Sequence, residues 1–217
     1  MTTVIATVVI PCLNEAGSLP GVLAAMPPGF TALVVDNNST DGTADVARAH
    51  GARVVHERVP GYGSAVHAGV VAADTDIVCV LDGDGSMDPG ELVSMVDALA
   101  DADLVVGRRR AVRASGWPWH ARVGNTVLAA RLRQRLNIDV HDIGPVRACR
   151  RQQLLDLGVS DRRSGYPLQL LVLAARANWR IVERDITYRP RTAGKSKVSG
   201  SVKGSAIAIW DFWKAIP

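Results

Sequence analysis

Short runs rich in Val and Ile recur through the first half of the chain, separated by polar, glycine-containing turns and by stretches of helical composition. This alternation is the pattern of successive βαβ units around a mostly parallel sheet. It predicts strands near residues 4–10, 32–36, 53–56, 77–81 and 103–107, with helices near 17–26, 42–50, 63–73 and 89–100. The run entering Val78-Cys-Val-Leu81 has no polar residue at every second position, so it suits a strand covered on both faces. Ser39-Thr-Asp-Gly ahead of Thr43 supplies helix-capping side chains, and Asp88-Pro89 puts a cap and a proline at a first helical turn.

After Arg108 the rhythm changes. Gly116-Trp-Pro-Trp119 breaks the chain, and a basic helix is expected from about 120 to 136. An irregular stretch holding Asp139, Asp142 and Arg147 follows, then a helix near 165–177 and the alternating strand Arg180–Tyr188. The loop Pro190–Lys197 is rich in Gly, Ser and Lys. At 217 residues the chain suits one α/β domain over 1–200 with an amphipathic tail over 201–217. No internal repeat argues for a solenoid.

Composition narrows the classes. A hydrophobic fraction of 47% with 21% charged residues excludes disordered, collagen-like and coiled-coil chains. The net charge of +4 is mild, but its basic groups bunch at Arg108–Arg113, Arg131–Arg135, Arg147–Arg151 and Arg184–Lys203. Bunching of this kind points to anionic partners, either phosphorylated small molecules or an acidic membrane surface. No DNA- or RNA-binding pattern accompanies it, which argues against nucleic acid. The odd number of cysteines, Cys12, Cys79 and Cys149, suits reduced thiols packed in strands, hence a cytoplasmic protein; no leader-like segment opens the sequence. No apolar run approaches the roughly 20 residues of a bilayer span. The tail Ala206–Ile216 is half that length and carries two charges, so it suits peripheral contact with a membrane or packing on the body.

Candidate chemistry sits at the predicted strand ends. Val78–Leu81 delivers Asp82 and Asp84 to the point where a buried strand surfaces, and ligands of open α/β sheets bind there. Two carboxylates one residue apart can share a divalent cation, which in turn can hold a diphosphate. Pro11-Cys-Leu-Asn-Glu15 leaves the first strand and presents Asn14 and Glu15 at a helix opening, where Asn14 either grips a nucleoside or caps the helix. Asp36, Asn38, Ser39 and Asp41 cluster after the second strand, where Asp36 can accept hydrogen bonds from a ribose or base. Gly61-Tyr-Gly-Ser-Ala-Val66 places small residues where backbone can approach a ligand or the sheet. Val66 occupies the third-glycine position of the dinucleotide fingerprint, which disfavours a nicotinamide enzyme.

Taken in order, Pro11-x-x-Asn14-Glu15, Val35–Thr43, Asp82-Gly-Asp84 and Ile181–Lys197 resemble the family 2 glycosyltransferases, most of all the branch of dolichyl-phosphate and polyprenyl-phosphate sugar synthases. The resemblance covers nearly the whole chain. It implies a GT-A fold and an inverting transfer of a hexose from a nucleoside diphosphate sugar, GDP-mannose or UDP-glucose, to a polyprenyl phosphate at the cytoplasmic membrane face. It further implies that Pro11 to Glu15, Asp36 and Asn38 serve the nucleoside, and that Asp82 and Asp84 handle Mg²⁺ or Mn²⁺. Arg191 and Lys197 would close over the phosphates. Two departures stand out: Asn37 replaces a frequent second aspartate, and Ser86 replaces a glutamine that sometimes assists the metal.

Asp142-Ile-Gly-Pro-Val-Arg147 resembles the family's Asp-x-x-Ser-Gly-Phe-Arg segment, where the acceptor approaches. Asp142 would act as general base toward an alcohol, whereas a phosphate oxygen is already anionic and needs only positioning by Arg113, Arg122 or Arg147. A soluble or glycan hydroxyl is therefore the alternative acceptor. A sugar-phosphate nucleotidyltransferase is disfavoured, because Pro11–Glu15 offers no Gly-rich triphosphate loop. The histidines lack zinc-ligand spacing and suit surface or packing positions, with His141 beside Asp142 set apart. Trp117-Pro-Trp119, next to arginines, suits packing or a lipid-facing loop.

Overall fold

The structure is a computed structural model that describes residues 5–112 and 118–194. Arg113, Trp117, Lys197 and the 201–217 tail lie outside the described residues, and with them the expectations placed there. The elements in chain order are β1 (Ala6–Cys12), α1 (Leu19–Ala24), β2 (Phe30–Asp36), α2 (Thr43–Ala49), β3 (Arg53–His56), α3 (Tyr62–Ala72) and β4 (Ile77–Val80). They continue as α4 (Leu92–Asp97), β5 (Leu104–Ala111), α5 (Trp119–Leu136), β6 (Arg147–Arg150), α6 (Arg151–Asp156), α7 (Tyr166–Arg176) and β7 (Ile181–Tyr188). The expected helix over 89–100 is divided, with 3₁₀ turns at Pro89–Glu91 and Ala98–Ala100 on either side of α4. Asp88 does cap it, accepting from Gly90 N at 2.9 Å.

The strands form one sheet in the order β3-β2-β1-β4-β6-β5-β7. All neighbours are parallel except β6, which runs antiparallel between β4 and β5. This strand and α6 were not expected from the sequence. Arg147-Ala-Cys-Arg150 is short and carries an arginine at each end, so no apolar run announces it, yet Arg147, Ala148 and Cys149 are all buried.

Side chains alternate between the two faces of the sheet. Val9, Leu33, Val35, Val80 and Val106 pack with α3 and α7 through Val66, Val70, Leu170 and Leu171. Val8, Ile10, Val34, Leu81 and Val105 pack with α1 and α4 through Leu19, Val22, Leu92 and Met95. Both faces are covered, so Val8–Ile10 of β1 and Ala32–Val35 of β2 appear in the sequence as unbroken apolar runs. Pro11 breaks no rung toward β4, because that ladder ends at Val9↔Val80. The cysteines are buried thiols without disulfides.

A candidate active site at the carboxyl ends of β1, β2 and β4

On either side of β1 the chain leaves the sheet in succession, and the three exits carry Pro11–Glu15, Asp36–Asp41 and Asp82–Ser86 to one edge. That edge is where the strand order reverses, the usual place for a ligand crevice in an open α/β sheet.

The first two exits are laced together. Asn14 N donates to Ser39 Oγ at 2.9 Å and Asn14 Oδ1 accepts from Thr40 N at 2.7 Å. Glu15 N donates to Thr43 Oγ1, and Ala16 N to Asp41 Oδ2. Asn14, with φ 55°, therefore ties two loops rather than capping α1, whose N-cap position is Ser18. The expected cap of α2 is also displaced: Gly42 takes the N-cap position with φ 82°, while Asp41 accepts from Thr43 N.

Asp36 ends β2 and is 7% exposed. Its Oδ1 accepts from Ser39 N at 3.1 Å and its Oδ2 lies 3.1 Å from His56 Nδ1. Arg48 reaches the other ring nitrogen, with Nη2 2.8 Å from Nε2. Because the guanidinium only donates, Nε2 accepts and Nδ1–H faces the carboxylate. His56 is thus no ordinary surface histidine; sequence spacing could not bring it to Asp36, but the β2–β3 register Asp36↔His56 does. Asn37 donates to Glu57 O and Val59 O and accepts from Gly61 N, bonds of which a carboxylate could make only the last. Asn38 spends its amide on the Glu57 and Arg58 carbonyls, so its side chain secures the following loop.

The third exit is Asp82-Gly-Asp-Gly-Ser86. Ser18 Oγ donates to Gly83 O at 2.8 Å, and Asp84 Oδ1 accepts from Ser86 N at 2.8 Å. A Cβ on Gly83 would lie 2.7 Å from Cys12 Sγ, and Gly85 turns with φ +73° against Thr192. The segment after β7 lies along this exit: Arg189 N donates to Ser86 O and Thr192 N to Asp84 O. Arg191 then bridges the acids, with Nη2 2.9 Å from Asp84 Oδ2 and Nη1 3.6 Å from Glu15 Oε1. Burial, reinforced by the neighbouring Asp84 charge, pushes the Asp82 carboxyl up to about 7. Ser86 is 1% exposed and its Oγ has no hydrogen-bond partner among the described residues.

These donors fit a hard divalent cation: two carboxylates, one of them costly to ionise alone, and a buried hydroxyl without a partner. Among the described residues no group of three His, Cys, Asp or Glu side chains forms a metal cage. The set therefore suits an ion shared with phosphate oxygens, as is usual for Mg²⁺.

Asp142 and Arg147 enter from the β6 side. Asp142 is 3% exposed, and Arg109 of β5 grips both its oxygens: backbone N to Oδ2 at 2.7 Å, Nε to Oδ2 at 2.9 Å and Nη2 to Oδ1 at 2.7 Å. Glu183 of β7 holds the same loop by accepting from His141 N and Asp142 N, and its Oε2 lies 2.9 Å from His141 Nδ1. His141 is thus part of the loop's support. Arg147 is 2% exposed, and among the described residues it donates to carbonyls, Pro145 O and Pro167 O, both at 3.4 Å. Its burial lowers the guanidinium pKa, partly offset by the nearby Tyr62, Tyr166, Asp142 and Asp82. Burial likewise drives the Tyr62 hydroxyl far up, with Asp82 adding to the effect, and that hydroxyl has no hydrogen-bond partner among the described residues. Sequence reasoning assigned no role to Arg109, Glu183 or Tyr62. Only Arg109 gave a signal, as one of a run of arginines. The small residues around Gly63 meet protein, since Gly63 N and Ser64 N donate to Arg163 O and Arg162 O.

The profile of glycosyl transferase family 2 matches residues 7–158, which takes in β1 from Thr7, β2, β4 and all three exits. This chain belongs to glycosyl transferase family 2. An uncharacterized glycosyltransferase of Mycobacterium tuberculosis is 66% identical over 211 residues, covering 97% of each chain. An undecaprenyl-phosphate mannosyltransferase of Micrococcus luteus is 33% identical, covering 94% of this chain and 92% of its own. Among solved structures, glucosyl-3-phosphoglycerate synthase from M. tuberculosis with phosphoglyceric acid superposes with a TM-score of 0.81 at 23% identity, covering 98% of this chain and 81% of that one. The same enzyme has been crystallised with Mn²⁺, UDP and glucosyl-3-phosphoglycerate. The GT-A fold expected for this family 2 member is therefore the fold observed, a mostly parallel sheet flanked by helices.

Proposed function

We propose that this protein is a metal-dependent, inverting hexosyltransferase that moves a sugar from GDP-mannose or UDP-glucose to a polyprenyl phosphate. The likeness to the Micrococcus luteus mannosyltransferase supports the lipid phosphate. The observation that carries the acceptor class is the Arg109–Asp142 clamp: both carboxylate oxygens accept from one guanidinium and its backbone N–H. With both its oxygens committed to holding Arg109, Asp142 suits an acceptor that arrives already anionic and needs positioning rather than a base.

In this reading the laced β1 and β2 exits hold the nucleoside, with Asp36 fixed by Ser39 and His56 so that its remaining lone pairs face the ribose or base. Pro11 sets the course of the first exit, and Glu15 holds Arg191 beside the phosphates. Asp82, Asp84 and the Ser86 hydroxyl would hold Mg²⁺ or Mn²⁺. When bound, the ion supplies charge that neutralises the diphosphate as the sugar–phosphate bond breaks. Arg191 adds a planar fork for phosphate oxygens, and Lys197 a point charge. Arg147, buried and without a carboxylate partner among the described residues, orients the acceptor together with Arg113, while Asp142 keeps Arg109 in place.

A second reading takes its support from the phosphoglyceric acid in the solved neighbour: a soluble, phosphate-bearing alcohol as acceptor. One assay separates the two. With Mn²⁺ and either donor, a short-chain polyprenyl phosphate should accept sugar and phosphoglyceric acid should not. Asp84→Ala should lower turnover roughly a hundredfold or more, the size of several kcal/mol. Turnover only with hydroxyl acceptors, lost in Asp142→Asn, would replace the lipid assignment.

A further inference from the structure

Helix α5 is already seated by one face. Ala129 and Leu132 are buried, Leu128 and Leu136 pack against the core, and Asn125 Oδ1 accepts from Ile143 N at 3.0 Å. Its opposite face is the exception among the helices. Trp119, Val123 and Val127 follow at i, i+4 and i+8, so they stack along one side, and they are 76%, 54% and 60% exposed. The helix contains four arginines and no acidic residue. At about 100° per residue, Arg122 and Arg133 flank the apolar stripe on one side, and Arg131 and Arg135 on the other.

We infer that this face of α5 docks in the headgroup region of an anionic phospholipid bilayer. An apolar stripe with a tryptophan at one end and cations along both flanks is the chemistry of a helix lying in the interfacial plane: valines below the headgroups, arginines at the phosphates, indole between. Charge complementarity selects the bilayer, since every charge the helix bears is positive. Among the described residues no helix is long and apolar enough to cross a membrane, so this contact lies on the surface. Asn125, on the seated face, has its Oδ1 3.5 Å from Arg109 Nη2, so on the proposed reading of the site the docking helix is also the one that packs against the acceptor side of the crevice.

The test is sedimentation of the full chain with vesicles, without donor or acceptor. Binding to phosphatidylglycerol-containing vesicles, weakened by salt and absent with pure phosphatidylcholine, is expected. Val123→Glu/Val127→Glu should cut the partition coefficient about tenfold or more while leaving Tm and circular dichroism unchanged. Trp119 emission, taken as wild type minus Trp119→Phe, should shift to the blue on anionic vesicles. Three outcomes overturn the inference: no vesicle binding by wild type; equal binding by the double variant, which would place the contact elsewhere; or a lipid-free dimer that the double variant converts to monomer, which would assign the face to a second copy. Transfer to a water-soluble short-chain prenyl phosphate should be unchanged in the double variant, so failure of the proposed reaction and failure of the docking face are read separately.

Discussion

Asp82 shows how much one residue's surroundings decide. In the sequence it is one of a pair of loop acids; in the fold it faces burial and the Asp84 charge, and its carboxyl rises from 3.8 to about 7. A raised carboxyl favours the folded state fully below about pH 4, where folded and unfolded chains are both protonated. That advantage is lost as pH climbs through about 7, because the unfolded chain ionises first. In metal-free protein, wild-type Tm should therefore fall between about pH 4 and about pH 7 relative to Asp82→Asn, by a few degrees. Parallel curves for the two proteins would refute the raised Asp82 carboxyl. Mn²⁺ binding should for the same reason tighten as pH rises through about 7, with protons released on binding, measurable by calorimetry in two buffers of different ionisation enthalpy. His56 and Glu183 mark the limit of sequence reading at this scale. Their partners are 20 and 41 to 42 residues away, and only strand register or loop packing brings them together.

At the scale of elements, the strand-to-loop exits carry the candidate site, and Gly83 and Gly85 are required there by close packing and a positive φ. Gly83→Ala would press a methyl to within 2.7 Å of Cys12 Sγ and 3.2 Å of Ile10 Cγ2, between β1 and the β4 exit. A cost of about 1–3 kcal/mol is expected from overpacking, together with weaker Mn²⁺-dependent UDP binding, since Asp82 and Asp84 flank the displaced turn. Urea unfolding and donor titration measure the two effects; unchanged values in both would mean the exit is looser than its packing indicates. The five strands of the first half, and β7, were legible because burial on one or both faces leaves a periodic apolar trace. β6 was not, because two of its four residues are arginines and its pairing is antiparallel. Asp142 was expected on the acceptor side from its segment, but its commitment to Arg109 depends on the meeting of β5 with the loop before β6.

For the whole molecule, the site exists because β1 and its two neighbours emerge side by side at the point where strand order reverses. On the proposed reading, nucleoside, diphosphate and acceptor are held by separate exits of one sheet, and ligand binding should stabilise all of it together. At about a hundredfold above Kd, a donor adds about 2.7 kcal/mol, a rise in Tm of roughly 5–10 °C for a domain of this size. On the proposed function, one of the two donors GDP-mannose and UDP-glucose should give that shift with Mn²⁺ and lose most of it on chelation. A shift insensitive to chelator would remove the metal from the Asp82–Asp84 pair.

The amino-acid order alone determined the α/β class, most strand positions and the candidate acids, because buried strands and their polar exits leave local traces in composition and period. The tertiary structure decided which side chains those acids meet. It placed Arg191 on Asp84, Arg109 on Asp142 and His56 on Asp36, and it left the Trp119–Val127 stripe uncovered. Such contacts join residues far apart in the chain, and their energies depend on distance and dielectric, quantities that exist only once the sheet has brought its exits together.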